Sequence, residues 1–175
     1  MSAAHGRWRT GLSPSGARTR PRDLLDADGQ RRWARDAYGS FLTDDRDIDT
    51  ISRALAHVRR PDGTTGYSPE EIAAVKRHLM LEEHRIEHPE TGRIEVRRFD
   101  ADEDIADAWI RLRAGRPLPE DLTLVNHELA ELRYLRDHPG ATYRQAHKHA
   151  GRLFDWERNV PEPTREDFEA PWGDS

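Results

Sequence analysis

The stretch Asn126-His127-Glu128-Leu129-Ala130-Glu131 sets an imidazole and a carboxylate four residues apart, with a second carboxylate between them. On a helix, residues four apart share a face. The pattern is similar to the zinc-protease helix, in which two histidines at that spacing hold the ion; here Glu131 stands in place of the second. With His147 from the following segment, and with His84 near them, His127 and Glu131 can hold a divalent ion such as zinc or manganese. A hydrogen-bonded pair on a helix border would read the same way.

Helical wheels, advancing about 100° per residue, sharpen the choice of residues. In the segment after Pro69, Lys76 and Glu83 fall inside the apolar stripe of Ile72, Val75, Leu79 and Ile86, while His84 sits on its flank and His78 beyond Val75. In the segment after Pro119, Glu128 interrupts the arc of Leu124, Leu132 and Leu135. In the segment after Thr142, His147 lies among Tyr143, Ala146, Ala150 and Phe154. An ionisable group in an apolar setting has to be paired, hydrogen-bonded or neutral. The arrangement that satisfies all of them lets Lys76 and Glu83 meet Glu128 and His147.

That cluster would be catalytic, with Glu128 as general base or metal ligand and His147 as acid/base partner or ligand. Lys76 would stabilise developing negative charge or keep Glu83 ionised. Tyr143, His84 and Arg98 would face the substrate. A buried polar network that only fixes packing is the alternative.

The elements that must position these groups are helical. The periodicity and punctuation predict helices over about 26–42, 45–59, 69–85, 101–114, 119–138 and 143–158. Ser68-Pro69-Glu70-Glu71 and Thr142 supply N-terminal caps, and Gly115 a C-terminal stop. Arg93 to Phe99, with Ile86 before the turn at His88-Pro89-Glu90-Thr91-Gly92, could form a small hairpin. The expected fold is a mainly α, compact domain of five or six helices over 23–160. Residues 1–22 read as a basic disordered leader and 161–175 as an acidic tail, with Phe168 and Trp172 available to tack it back.

Composition narrows the function classes. The 175 residues include 28 Lys and Arg against 33 Asp and Glu, for a net charge of −5, and no cysteine. Thiol nucleophiles, disulfides and cysteine–zinc sites are therefore excluded. No run approaches the about 18 apolar residues of a membrane span. The first residues carry arginines but no following apolar stretch, so no signal peptide is expected and the chain reads as cytoplasmic. The leader holds Arg7, Arg9, Arg18, Arg20 and Arg22 without an acid. Nonspecific binding to a nucleic-acid backbone would need such clustering on the body, which is acidic instead.

Several motifs occur in order: Val75-Lys76-Arg77-His78-Leu79 with Glu83-His84, Arg98-Phe99-Asp100, Ala108-Trp109-x-Arg111-Leu112, Asn126-His127-Glu128-Leu129-x-Glu131, and Thr142-Tyr143-x-x-Ala146-His147-x-x-Ala150 with Trp156. Over residues 44–160 this series resembles the C-terminal effector domains of actinobacterial and phage-associated predicted polymorphic toxins. The resemblance implies an effector-type enzymatic domain, a hydrolase or transferase, made with a neutralising immunity protein and delivered by a secretion system. It points to Lys76, Glu83, His84, His127, Glu128, Glu131, Tyr143 and His147. Nucleic acid enters as a substrate class through toxin analogy alone. The competing reading is a noncatalytic helical module that binds protein or serves a phage or secretion assembly.

Overall fold

The computed structural model describes residues 26–161, and the leader and the tail beyond 161, with Phe168 and Trp172, lie outside the described residues. Six helices and one hairpin follow one another: α1 (Ala27–Leu42), α2 (Arg46–Ala54), α3 (Pro69–Met80), β1 (His84–Glu87), β2 (Ile94–Arg97), α4 (Glu103–Arg113), α5 (Pro119–Asp137) and α6 (Tyr143–Leu153). A single 3-10 turn, Glu157–Asn159, follows α6. The mainly α architecture with a small antiparallel hairpin is the one expected.

Helix starts follow local hydrogen-bond chemistry. Ser68 and Glu71 form a reciprocal capping box, with Pro69 at the first helical position, where its missing N–H costs nothing. Thr142 and Gln145 repeat the device at α6. Helix α4 starts two residues later than the 101 expected, at Glu103 with Asp102 as its cap; the Asp102 carboxylate accepts from the Asp104 and Ile105 N–H groups.

Three helices are shorter than their periodicity suggests, and each early end serves a tertiary contact. Helix α2 stops at Ala54, and the next residues fold into a tight loop closed by Arg59 and Thr65. There Gly66, at φ +79°, passes so close to the Ala56 carbonyl that a side chain would sit 3.0 Å from its oxygen. Helix α3 stops at Met80, because the N–H groups of Leu81 and Glu82 both turn back to the Arg77 carbonyl. The freed chain then pairs Ile86 with Glu95 in the hairpin. Helix α6 stops at Leu153, which leaves the Phe154 carbonyl and Glu157 free to reach histidines.

The main core gathers Trp33, Phe41, Ile51, Leu55, Ile72 and Trp109 from α1, α2, α3 and α4. A smaller cluster joins Ala108, Leu124 and Trp156. Two buried ion pairs tie these layers together. Arg111 on α4 grips Asp121 on α5 through two bonds of 2.8 Å, the fork geometry that suits a carboxylate. Lys76 on α3 donates to Asp45 and Asp47 at 2.9 Å each and to the Asp44 carbonyl at 3.2 Å. Asp47 in turn accepts from the Trp109 indole.

Candidate functional site

Helix α5 carries the centre of the site. His127 and Glu131 sit one turn apart on its inner face, and Glu128, about 100° round the helix, points into the neighbouring cavity. Helix α6 packs alongside and brings Tyr143 and His147, also one turn apart. His78 enters from α3, while His84 and Phe99 flank it from either arm of the hairpin.

Glu131 is the hub. Its Oε1 lies 2.9 Å from His127 Nε2 and 2.7 Å from His147 Nδ1, and those two nitrogens are 3.1 Å apart. The other nitrogen of each ring is already committed. His127 Nδ1 donates to the Phe154 carbonyl at 2.8 Å, and His147 Nε2 donates to the Glu157 carboxylate at 2.8 Å. With both rings neutral and these outer protons in place, the inner nitrogens turn lone pairs toward one carboxylate oxygen, and protonation of a ring converts its contact into a hydrogen bond to Glu131. His127, Glu131 and His147 thus offer three ligand atoms close enough together to hold a metal ion, and the outer acceptors fix the orientation of both rings.

The electrostatics follow. Burial opposes ionisation of Glu131, yet hydrogen bonds from His127, His147 and His78 hold its carboxyl well below the usual range. The bond to Glu131, helped by Glu157, raises the His147 pKa against the effect of its burial.

Glu128 contrasts sharply with its neighbour. It is 5 % exposed, and its only polar contact among the described residues is His78 Nε2 at 3.5 Å. Burial, followed by the negative charges of Glu131 and Asp102, pushes its pKa well above the carboxylate range. It lines a cavity of about 280 Å³ together with Phe99, Tyr143, His147, Trp156 and Arg97. Tyr143 Oη lies 3.0 Å from His147 Nδ1, and burial, with the charges of Glu131 and Glu128, keeps the phenol protonated.

His78, Glu128 and Glu131 form a second group close enough to share an ion. His78 nevertheless acts as a donor. Its Nδ1 is buried without a partner, so its proton is satisfied only on Nε2, which donates to Glu131 Oε2 at 2.8 Å. His84, whose pKa burial lowers, donates its own Nε2–H to the His78 carbonyl at 2.7 Å and stacks on Phe99.

The structure thus brings together His127, Glu128, Glu131, Tyr143 and His147 and leaves four other candidates outside that group. Lys76 is buried on the opposite flank of α3, where Asp45 and Asp47 neutralise it. Glu83 lies past the end of α3, exposed, and so leaves the stripe a longer helix would have given it. Arg98 is exposed, and its carbonyl accepts from Arg97. His84 packs behind the cavity and does not line it. His78 is the residue the wheel underrated: α3 is buried over a wider arc than its apolar stripe, taking in His78 as well.

No helix among the described residues is long and apolar enough to cross a membrane. Comparison with protein-family profiles, with curated proteins and with solved structures finds no match to this chain.

Proposed function

We propose that this domain is a divalent-metal-dependent hydrolase, with His127, Glu131 and His147 as ligands and Glu128 as the proton-transfer group. The observation that carries this reading is the convergence of two oriented imidazoles on one Glu131 oxygen, beside a buried carboxylate with no hydrogen-bond donor of its own. Two histidines and one glutamate match a zinc site that keeps a position open for chemistry. A module whose polar cluster served only packing would gain nothing from holding Glu128 at a cavity wall with a single 3.5 Å contact to His78.

A bound ion supplies Lewis acidity, which turns water into a nucleophile near neutral pH. Its charge also favours the ionised form of Glu128, reversing the effect of burial and of Glu131. Ionised Glu128 takes a proton from the attacking water as the new bond to the substrate carbon forms. It then gives that proton to the leaving group as the scissile bond breaks. Tyr143 donates its O–H toward the oxygen that gains negative charge.

The lining favours an acyl substrate over a nucleic acid. Among the described lining residues Arg97 is the one Lys or Arg, set beside Asp100, Asp102, Glu128 and Glu157. A polyphosphate backbone would meet more negative than positive charge there. The effector setting and a neutralising protein partner belong to this proposal through the sequence resemblance.

The test is hydrolysis by zinc-loaded protein of ester, peptide and oligonucleotide substrates, with and without chelator. The expected result is chelator-sensitive turnover of an acyl substrate. Glu128→Gln should lower kcat by about 10²–10⁴ while zinc stays bound. Zinc-loaded protein with no turnover on any substrate would refute the enzymatic reading.

A further inference from the structure

The outer edge of β2 carries no strand among the described residues, and β2 lines the cavity through Arg97. β1 pairs with β2 and also contacts α6. β2 has no second strand beside it among the described residues. The His88 N–H donates to the Arg93 carbonyl. By antiparallel alternation, Glu95 and Arg97 then turn their main-chain groups toward β1, and Ile94 and Val96 turn theirs outward.

Side chains alternate as well. Arg97 and Phe99, two residues apart, both line the cavity. Ile94 and Val96 lie on the opposite face, 41 % and 60 % exposed. Large apolar side chains on an open edge are what natural proteins avoid unless something pairs there.

We propose that the open edge of β2 seats an extended polypeptide as a third strand and delivers one of its amide bonds to Glu128 and His147. This rests on the hydrolytic reading above and names its substrate class. Main-chain bonds to Ile94 and Val96 would give affinity without sequence selection, and alternate side chains would give selectivity. Substrate side chains level with Arg97 and Phe99 point into the cavity. Those level with Ile94 and Val96 cover the exposed apolar pair. In the reaction water adds to the amide carbon, the C–N bond breaks, and the proton held by Glu128 passes to the departing amine.

The experiment uses zinc-loaded full chain and a library of unstructured octapeptides. Val96→Pro removes one outward N–H and leaves the β1 ladder intact, since proline is tolerated on a solvent-facing edge. It should raise KM about tenfold with kcat nearly unchanged. Unchanged KM in Val96→Pro, or cleavage confined to oligonucleotides, would overturn the edge assignment and leave the metal-site reading standing. Absence of any hydrolysis would overturn the hydrolytic reading. The edge is then decided by amide NMR of the wild-type chain, which also covers a failure of the proline variant to fold. Shifts at Ile94 and Val96 on peptide addition support it. Silence there, or edge-to-edge dimers of the chain in their place, refutes it.

Discussion

His127 Nε2 and His147 Nδ1 face each other at 3.1 Å across a single oxygen of Glu131. Two imidazoles at that separation cannot both aim a proton at the other, so the proposed site has room for one cation among the three atoms. Proton and metal ion compete for it. Because Glu131 and Glu157 raise the His147 pKa, the proton competes up to a higher pH than at an ordinary histidine. Zinc affinity should fall as pH drops through the His147 range, with release of about one proton per ion below it and none well above. Calorimetry in buffers of differing ionisation enthalpy measures this. PH-independent uptake would refute it.

Glu128 gives a stability prediction with a definite sign. Its folded pKa is raised, so its contribution is fully present below the unfolded carboxylate range and is lost as pH rises through the folded value. In metal-free protein Glu128→Gln should therefore melt above the wild type at pH 8 and level with it at pH 4. Each kcal/mol recovered should move the midpoint by about 3–6 °C. A variant that is less stable at pH 8 would mean that the carboxylate is paired.

His78 acts through Glu131, by holding the oxygen that faces away from the two ligand histidines. His78→Ala should weaken zinc binding about 10–100-fold. His78→Gln, whose amide can donate to the same oxygen, should recover most of the loss. Equal affinity in both variants and the wild type would reduce His78 to packing.

Lys76 tests the boundary of the site. Its partners are Asp45 and Asp47, and Lys76→Ala leaves Asp47 buried with a lost counter-charge. That should cost about 3–5 kcal/mol in denaturant unfolding, and Lys76→Met less. Zinc affinity of the folded variant should be unchanged.

The helices and the pairing of His127 with Glu131 were legible because they depend on short-range spacing. The i, i+4 relation of His127 to Glu131, and the capping sequence at Ser68, are properties of one helix. Lys76 shows where such reading stops. A wheel tells that its ammonium is buried, but its partners lie about thirty residues earlier on α2, on the side of α3 away from α5. Glu83 depended on where α3 ends, and that end is set by strand pairing across the hairpin. His78 was hidden for a related reason: α3 is enclosed on more than its apolar stripe, so a polar residue outside the stripe still reaches the centre.

The most direct measurement is X-ray absorption at the zinc edge on stoichiometrically loaded protein, with affinity compared between the wild type and His147→Ala. We predict one tightly bound ion with two imidazoles and a carboxylate in its shell. In His147→Ala the affinity should fall by more than the about 10–100-fold typical of an outer partner. A chain that takes up no stoichiometric zinc, or holds it without histidine ligands, would contradict the site.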